Sequence, residues 1–164
     1  MTLISDASPL ILLAKISVLS TFTKENKIII PRKVYIEVVV KGKEKSRYDA
    51  LLVEKLVEEK KIIIEEVDPE LTKKMWKLFG LWAGEAEVIA LALKTKNSII
   101  TDDKKCINSA KANSINFITS LDVVITLFNK KHIDKKKAME ALEMLEEYGW
   151  YKKDIIKHYK EKIK

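Results

Sequence analysis

Asn97-Ser98-Ile99-Ile100-Thr101-Asp102-Asp103 reads as a short apolar strand that runs into two carboxylates. Met1-Thr2-Leu3-Ile4-Ser5-Asp6 has the same form at the other end of the chain. Both runs are short, β-branched and apolar on both faces, as buried parallel strands are. Strand ends of one parallel sheet are neighbours in space, so carboxylates that end distant strands converge there. Such convergence is unfavourable. At about 6 Å and an effective dielectric of about 20, each pair costs roughly 2–3 kcal/mol. A hard divalent cation removes that repulsion, so a metal site is the first expectation.

Three further runs resemble these two. Ile28–Ile30, Ile62–Val67 and Asn116–Ile118 join Leu3–Ser5 and Ser98–Thr101 to make five expected strands. Helical patterns lie between them. Ser8–Thr23 is expected to form one or two helices, and Pro31 suits the first turn of a helix over Arg32–Lys41. Helices are also expected at Ser46–Lys60, Pro69–Phe79, Gly84–Thr95, Lys104–Ala112 and Leu121–Lys130. Strand and helix alternate, which argues for an α/β fold with a parallel sheet and right-handed crossovers. The tail, Asp134–Lys164, has no strand. It reads as two helices broken at Gly149, forming a C-terminal helical arm.

The bulk numbers set the class. The 164 residues suit one domain with a real core, and 47% hydrophobic with 34% charged is an ordinary soluble composition. Cys106 is the single cysteine, so no internal disulfide can form. No apolar run is long enough to span a membrane, and Met1 leads straight into a strand rather than a signal peptide. A reducing, cytoplasmic setting is expected. The net charge is +7, from 31 basic and 24 acidic residues. It serves either a solvated surface or attraction to a polyanion such as RNA.

Each acidic motif has a structural alternative. Asp6-Ala7-Ser8-Pro9 opens a helix, and Asp6 or Ser8 can act as its N-cap. With Ser8 in that role, Asp6 is left for other work. Glu37 lies in Val34-Tyr35-Ile36-Glu37-Val38-Val39-Val40, so a regular helix would partly bury it. A buried carboxylate is costly unless paired or metal-bound. The alternative is a surface glutamate paired with Lys33 or Lys41. Gly84-Glu85-Ala86-Glu87-Val88-Ile89-Ala90-Leu91-Ala92 puts two acids in a helical first turn, where they suit the helix dipole. They stand about 200° apart around that helix, so Glu85 is expected to face the sheet and Glu87 to act elsewhere, as a cap or support. Asp102 and Asp103 exceed what capping one helix needs. His132 and His158 are expected at the surface, Cys106 in the packing, and Trp76, Trp82 and Trp150 in the core or an interface. No phosphate-binding loop, dinucleotide fingerprint or zinc spacing is present.

Together these motifs resemble the PIN-domain family of nucleases, and within it the toxins called VapC. The resemblance rests on Asp6 in Asp-Ala-Ser, Glu37 in Val-Tyr-Ile-Glu-Val-Val, Glu85 in Gly-Glu-Ala-Glu-Val-Ile-Ala-Leu-Ala, and Asp103 in Thr-Asp-Asp. It covers about residues 1–130, read as the nuclease domain, with 131–164 as a helical extension of the same domain. The third acid is Glu85 where many members have Asp. The resemblance implies a three-layer fold around a five-stranded parallel sheet ordered 3-2-1-4-5. In such a sheet the chain reverses between strands 1 and 4, and a crevice opens at their carboxyl ends. Asp6, Glu85 and Asp103 all belong to that edge.

The function implied is a Mg²⁺- or Mn²⁺-dependent ribonuclease. Asp6, Glu37, Glu85 and Asp103 are the candidate catalytic residues and, with Asp102, the candidate metal ligands. Asp6 and Asp103 are expected to bind the ion directly, and Glu37 and Glu85 to hold its waters. An all-carboxylate set without histidine suits Mg²⁺ better than zinc. Arg32, Lys33, Lys104 and Lys105 are the foremost RNA-binding candidates, within a wider set of Lys15, Lys41, Lys43, Lys45, Arg47 and the tail lysines through Lys164. The implied partners are RNA, a small antitoxin and a second copy of the chain. The competing readings are a non-catalytic RNA-binding or protein-interaction module, a general RNA-processing nuclease, and a receiver domain. The last is disfavoured, since only one acid ends the first strand and no lysine ends the fifth.

Overall fold

The computed structural model describes residues 1–163 and gathers the five apolar runs into one sheet. Lys164, the last of the tail lysines, lies outside the described residues. The strands are β1 (Thr2–Ser5), β2 (Lys27–Pro31), β3 (Ile62–Glu65), β4 (Ser98–Ile100) and β5 (Phe117–Ile118). They pair in parallel in the order β3-β2-β1-β4-β5. Leu3 pairs with Ile28 on one side and Ser98 on the other, which makes β1 central. Its Leu3 and Ile4 have no exposed surface. That double coverage is why these strands do not alternate in polarity.

Helices α1 (Ala7–Lys15) and α2 (Leu19–Phe22) follow β1, and α3 (Arg32–Tyr35), α4 (Lys41–Glu44) and α5 (Tyr48–Glu58) follow β2. After β3 come α6 (Pro69–Phe79) and α7 (Ala83–Thr95), then α8 (Lys104–Ala112) after β4 and α9 (Ser120–Asn129) after β5. Helix α1 packs against α2, α5 and α9, while α7 lies against β1, β2 and β4 and against α6 and α8. The sheet is thus flanked by two helical layers. Among the described residues no helix is long and apolar enough to cross a membrane.

Two local expectations are corrected. Pro31 is the last residue of β2 and the N-cap of α3, rather than a first-turn helical residue. The helix expected over Arg32–Lys41 is interrupted by a π-helical turn, Ile36–Val40. A π turn takes an extra residue per turn, so it re-aims the side chains along it. Val38 and Val39 turn into the core, while Ile36 and Val40 stay 39% and 42% exposed. Glu37 falls on the exposed side as well, so it is not buried as a regular helix would have it.

The tail forms α10 (Lys135–Tyr148) and α11 (Lys153–Glu161), broken at Gly149 as its glycine suggests. These helices pack onto the body. Ala138, Ala141, Leu142 and Leu145 of α10, with Ile156 and Ile163, belong to the same apolar cluster as the sheet.

Candidate active site

The edge at the carboxyl ends of β1 and β4 opens into a crevice of about 590 Å³. Asp6, Glu37, Glu85, Asp102 and Asp103 all line it, with Lys104, Trp82 and Trp150. Residues from five separate stretches of chain meet here because parallel strands end together and the following helices begin there.

Asp6 stands just past β1 and is nearly buried, at 5% exposure. It caps α1 itself: Ala7 N–H donates to Oδ1 at 2.8 Å. Ser8 is inside α1 and does not cap it, which corrects the division of labour expected from the sequence. The Thr101 hydroxyl donates to the other oxygen, Oδ2, at 3.2 Å. Burial nonetheless pushes the Asp6 carboxyl up to about 7, helped by the nearby charges of Glu85 and Glu37 and opposed by these two donors.

Glu85 lies in the first turn of α7 and accepts the Trp82 N–H at 3.1 Å. Burial raises its carboxyl above the usual range, with repulsion from Asp103 and Glu37 adding and Lys105 opposing. Gly84 brings α7 close to the π turn. A Cβ there would stand 3.8 Å from Glu37 Oε2 and 3.6 Å from Val34. Glu37 thus reaches the crevice from its exposed backbone position.

The two adjacent aspartates have different surroundings. Asp103 caps α8 by accepting Cys106 N–H at 2.8 Å through Oδ1. No described residue donates to its Oδ2. Asp102 is turned toward the tail and β5–α9 junction. It accepts Ser120 N–H at 2.8 Å and the Ser120 hydroxyl at 2.6 Å, and the Tyr151 hydroxyl donates to it as well. Burial raises the Asp102 carboxyl and these donors oppose that rise. Burial and the Asp102 charge together push the Tyr151 phenol up. Thr101 ties the site together, since its hydroxyl also accepts the Asp103 N–H at 3.2 Å.

The basic candidates divide. Lys104 lines the crevice, and Lys105 is near enough to favour the charged form of Glu85. Arg32 is held by Glu66 at 2.9 Å. Lys33 pairs with Glu87 at 3.3 Å and lines a neighbouring groove of about 530 Å³. Glu87 is buried and also accepts Lys33 N–H at 3.3 Å, so it caps the start of α3 from across the fold. Neither expected surface pair of Glu37 forms. No histidine lines the crevice: His132 pairs with Glu25, and His158 stands edge-on to Tyr159. Cys106 is fully buried and burial pushes its thiol up, so it is packing rather than nucleophile.

The sequence reading missed three contributors. Tyr151 comes from the tail and holds Asp102. Trp82 and Trp150, expected in a core or interface, are 75% and 98% exposed and line the crevice. The one available signal was their setting: each follows or precedes a glycine break with no apolar periodicity around it.

The donor set is oxygen only. Among the described residues no three acidic, histidine or cysteine side chains come close enough to cage an ion by themselves. An ion that keeps most of its waters and takes one or two carboxylates, as Mg²⁺ does, suits such an open site. A family model described as the PIN domain matches residues 2–164. The chain belongs to the PIN domain family. That family consists generally of metal-dependent nucleases, and the match runs on through the tail. Two solved structures are similar in fold to this PIN domain. One is a PilT N-terminus domain protein, SSO1118, from Sulfolobus solfataricus, with 18% identity and a TM-score of 0.53 over 78% of this chain and 94% of that one. The other is PAE2754 from Pyrobaculum aerophilum, with 17% identity and a TM-score of 0.54 over 77% of this PIN domain and 98% of that chain. No curated protein matches the sequence.

Proposed function

We propose that this PIN domain is a Mg²⁺- or Mn²⁺-dependent endoribonuclease of the cytoplasm. The observation that carries the reading is the convergence of Asp6, Glu37, Glu85 and Asp103 on one crevice, where burial, with the charges of Glu85 and Glu37 adding to it, raises the carboxyl of Asp6 to about 7. Asp6 and Oδ2 of Asp103 would hold the ion directly. Glu37 and Glu85 would hold its waters, and Asp102, already engaged by Ser120 and Tyr151, supports the turn. When bound, the ion supplies a more acidic water and positive charge beside the scissile phosphodiester. The chain's own part is to fix the carboxylates. Capping bonds to α1 and α8 hold Asp6 and Asp103, and the Thr101 hydroxyl locks one to the other. Lys104 offers a phosphate contact at the same rim.

Purified protein is expected to cleave RNA with Mn²⁺, to stop with EDTA, and to lose cleavage in Asp6→Asn. Full activity in that variant refutes the assignment. Retained metal binding without cleavage favours a non-catalytic RNA-binding module. We further read the protein as the toxin of a toxin–antitoxin pair, forming a homodimer and held inactive by a small partner. Its support is the likeness of the four motifs to the VapC branch. A short neighbouring reading frame whose product restores growth is the expected result. Expression that leaves growth unaffected points to general RNA processing instead.

A further inference from the structure

Trp82 and Trp150 are the least expected residues at the crevice. An indole is among the costliest side chains to leave in water, and these two are 75% and 98% exposed at a rim that also carries five carboxylates and Lys104. Neither packs into the core, so neither is explained by stability. The crevice also continues on both sides. Trp82 is shared with the groove that holds Trp76 and Lys73, and Trp150 with a smaller one that holds Tyr148 and Lys15. Lys15 Nζ lies 5.5 Å from the Tyr148 ring centre. Aromatic rings and lysines therefore line the grooves on both sides of the carboxylates.

We propose that Trp82 and Trp150 are base-stacking residues that grip unpaired nucleotides of an RNA strand to either side of the cleaved phosphodiester. The inference rests on the ribonuclease reading and adds the side chains of this chain that hold the unpaired strand. Every base has a π face, so stacking holds a strand without reading its sequence, and lysines between the rings follow its phosphates. Paired bases are already stacked on each other and offer no face to an indole.

The test is binding of a labelled oligoribonucleotide, read by fluorescence anisotropy on full-length Asp6→Asn protein in EDTA, where no cleavage competes. Trp150→Leu and Trp82→Leu are each expected to weaken single-strand binding about 5- to 100-fold, the range of one lost base stack. Trp150→Phe, which keeps a ring, is expected to recover most of the affinity. Tyr48→Leu, an exposed ring outside these grooves, serves as a control for surface apolarity. A strand with abasic sites is expected to bind the parent weakly and to be indifferent to Trp150→Leu. Equal single-strand affinity in parent and both leucine variants overturns the proposal, as does equal loss on duplex RNA. Cleavage by wild type with unchanged affinity in the leucine variants sinks stacking alone. Ring-dependent binding without any cleavage by wild type sinks the nuclease reading alone.

Discussion

Asp6 couples folding to protonation. Its ordinary carboxyl value is near 4, and burial among other acids raises it to about 7 in the fold. The folded state therefore binds the proton more tightly than the unfolded chain does. Below about pH 4 both states are protonated and the difference vanishes. As pH rises from about 4 to 7, the metal-free fold loses stability, by about 4 kcal/mol at most for a shift of three units. Asn at this position keeps an oxygen for the Ala7 N–H and carries no charge. In EDTA, thermal melts of wild type and Asp6→Asn are expected to coincide near pH 4 and to separate by pH 8, with the variant melting higher. Mn²⁺ should raise the wild-type midpoint at pH 8 and leave it unmoved near pH 4. A gap independent of pH would mean that another group carries the proton.

The neighbouring aspartates separate structure from chemistry at the same scale. Asp103→Asn keeps an N-cap for α8, because Asn caps as well as Asp, so cleavage should vanish with little change in melting temperature. Asp102→Asn disturbs a half-buried acceptor of three donors, so it should lower stability by about 1–3 kcal/mol while some cleavage survives. Equal activity loss in both variants at equal stability would contradict these roles. The sequence identified both acids, because they follow an apolar run. It did not divide their roles, since the partners that do so, Ser120 and Tyr151, lie 18 and 49 residues away.

At the scale of elements, the tail is the main surprise in energetic terms. Its apolar positions Ala138, Ala141, Leu142 and Leu145 could be read as one helical stripe, and the stripe is fully buried against the body. Tyr151 then follows the break at Gly149 and reaches Asp102. A Cβ at Gly149 would stand 2.6 Å from the Leu145 carbonyl oxygen and 3.0 Å from the Tyr151 ring, so the glycine permits that return. Ending the chain at residue 133 strips cover from α9 and removes a donor from Asp102. The truncated protein is expected to melt far below the full chain, or not to fold, and to show no cleavage. A stable, active truncation would make the tail dispensable. Element boundaries were otherwise legible where punctuation is strong: Pro69–Phe79 and Lys104–Ala112 match their helices residue for residue. The π turn was not, because Ile36-Glu37-Val38-Val39-Val40 is apolar on every side and gives no period to read.

At the scale of the whole molecule, the parallel sheet was legible in strands that are apolar on both faces and its order came from the family resemblance, but the use of the charge did not follow from its total. The +7 excess invites a count of many phosphate contacts. The fold reduces that count. Arg32, Lys33, Lys43 and Arg47 are already paired with Glu66, Glu87, Glu54 and Asp49. Among the described residues, Lys104 in the crevice, Lys105 near Glu85 and Lys15 in the adjoining groove stand close to the carboxylates. Each phosphate neutralised on a single strand contributes about −0.7 to the slope of log affinity against log salt, so three give about −2. Six contacts would give about −4, and that steeper value would require the paired cations to leave their carboxylates for RNA. Titrating a labelled single strand onto Asp6→Asn protein across a salt series distinguishes these cases. Lys104→Ala is expected to flatten the slope by about 0.7, whereas Arg32→Ala should leave it unchanged. A slope near zero would assign the net charge to solubility, and leave strand binding to the exposed aromatic rings.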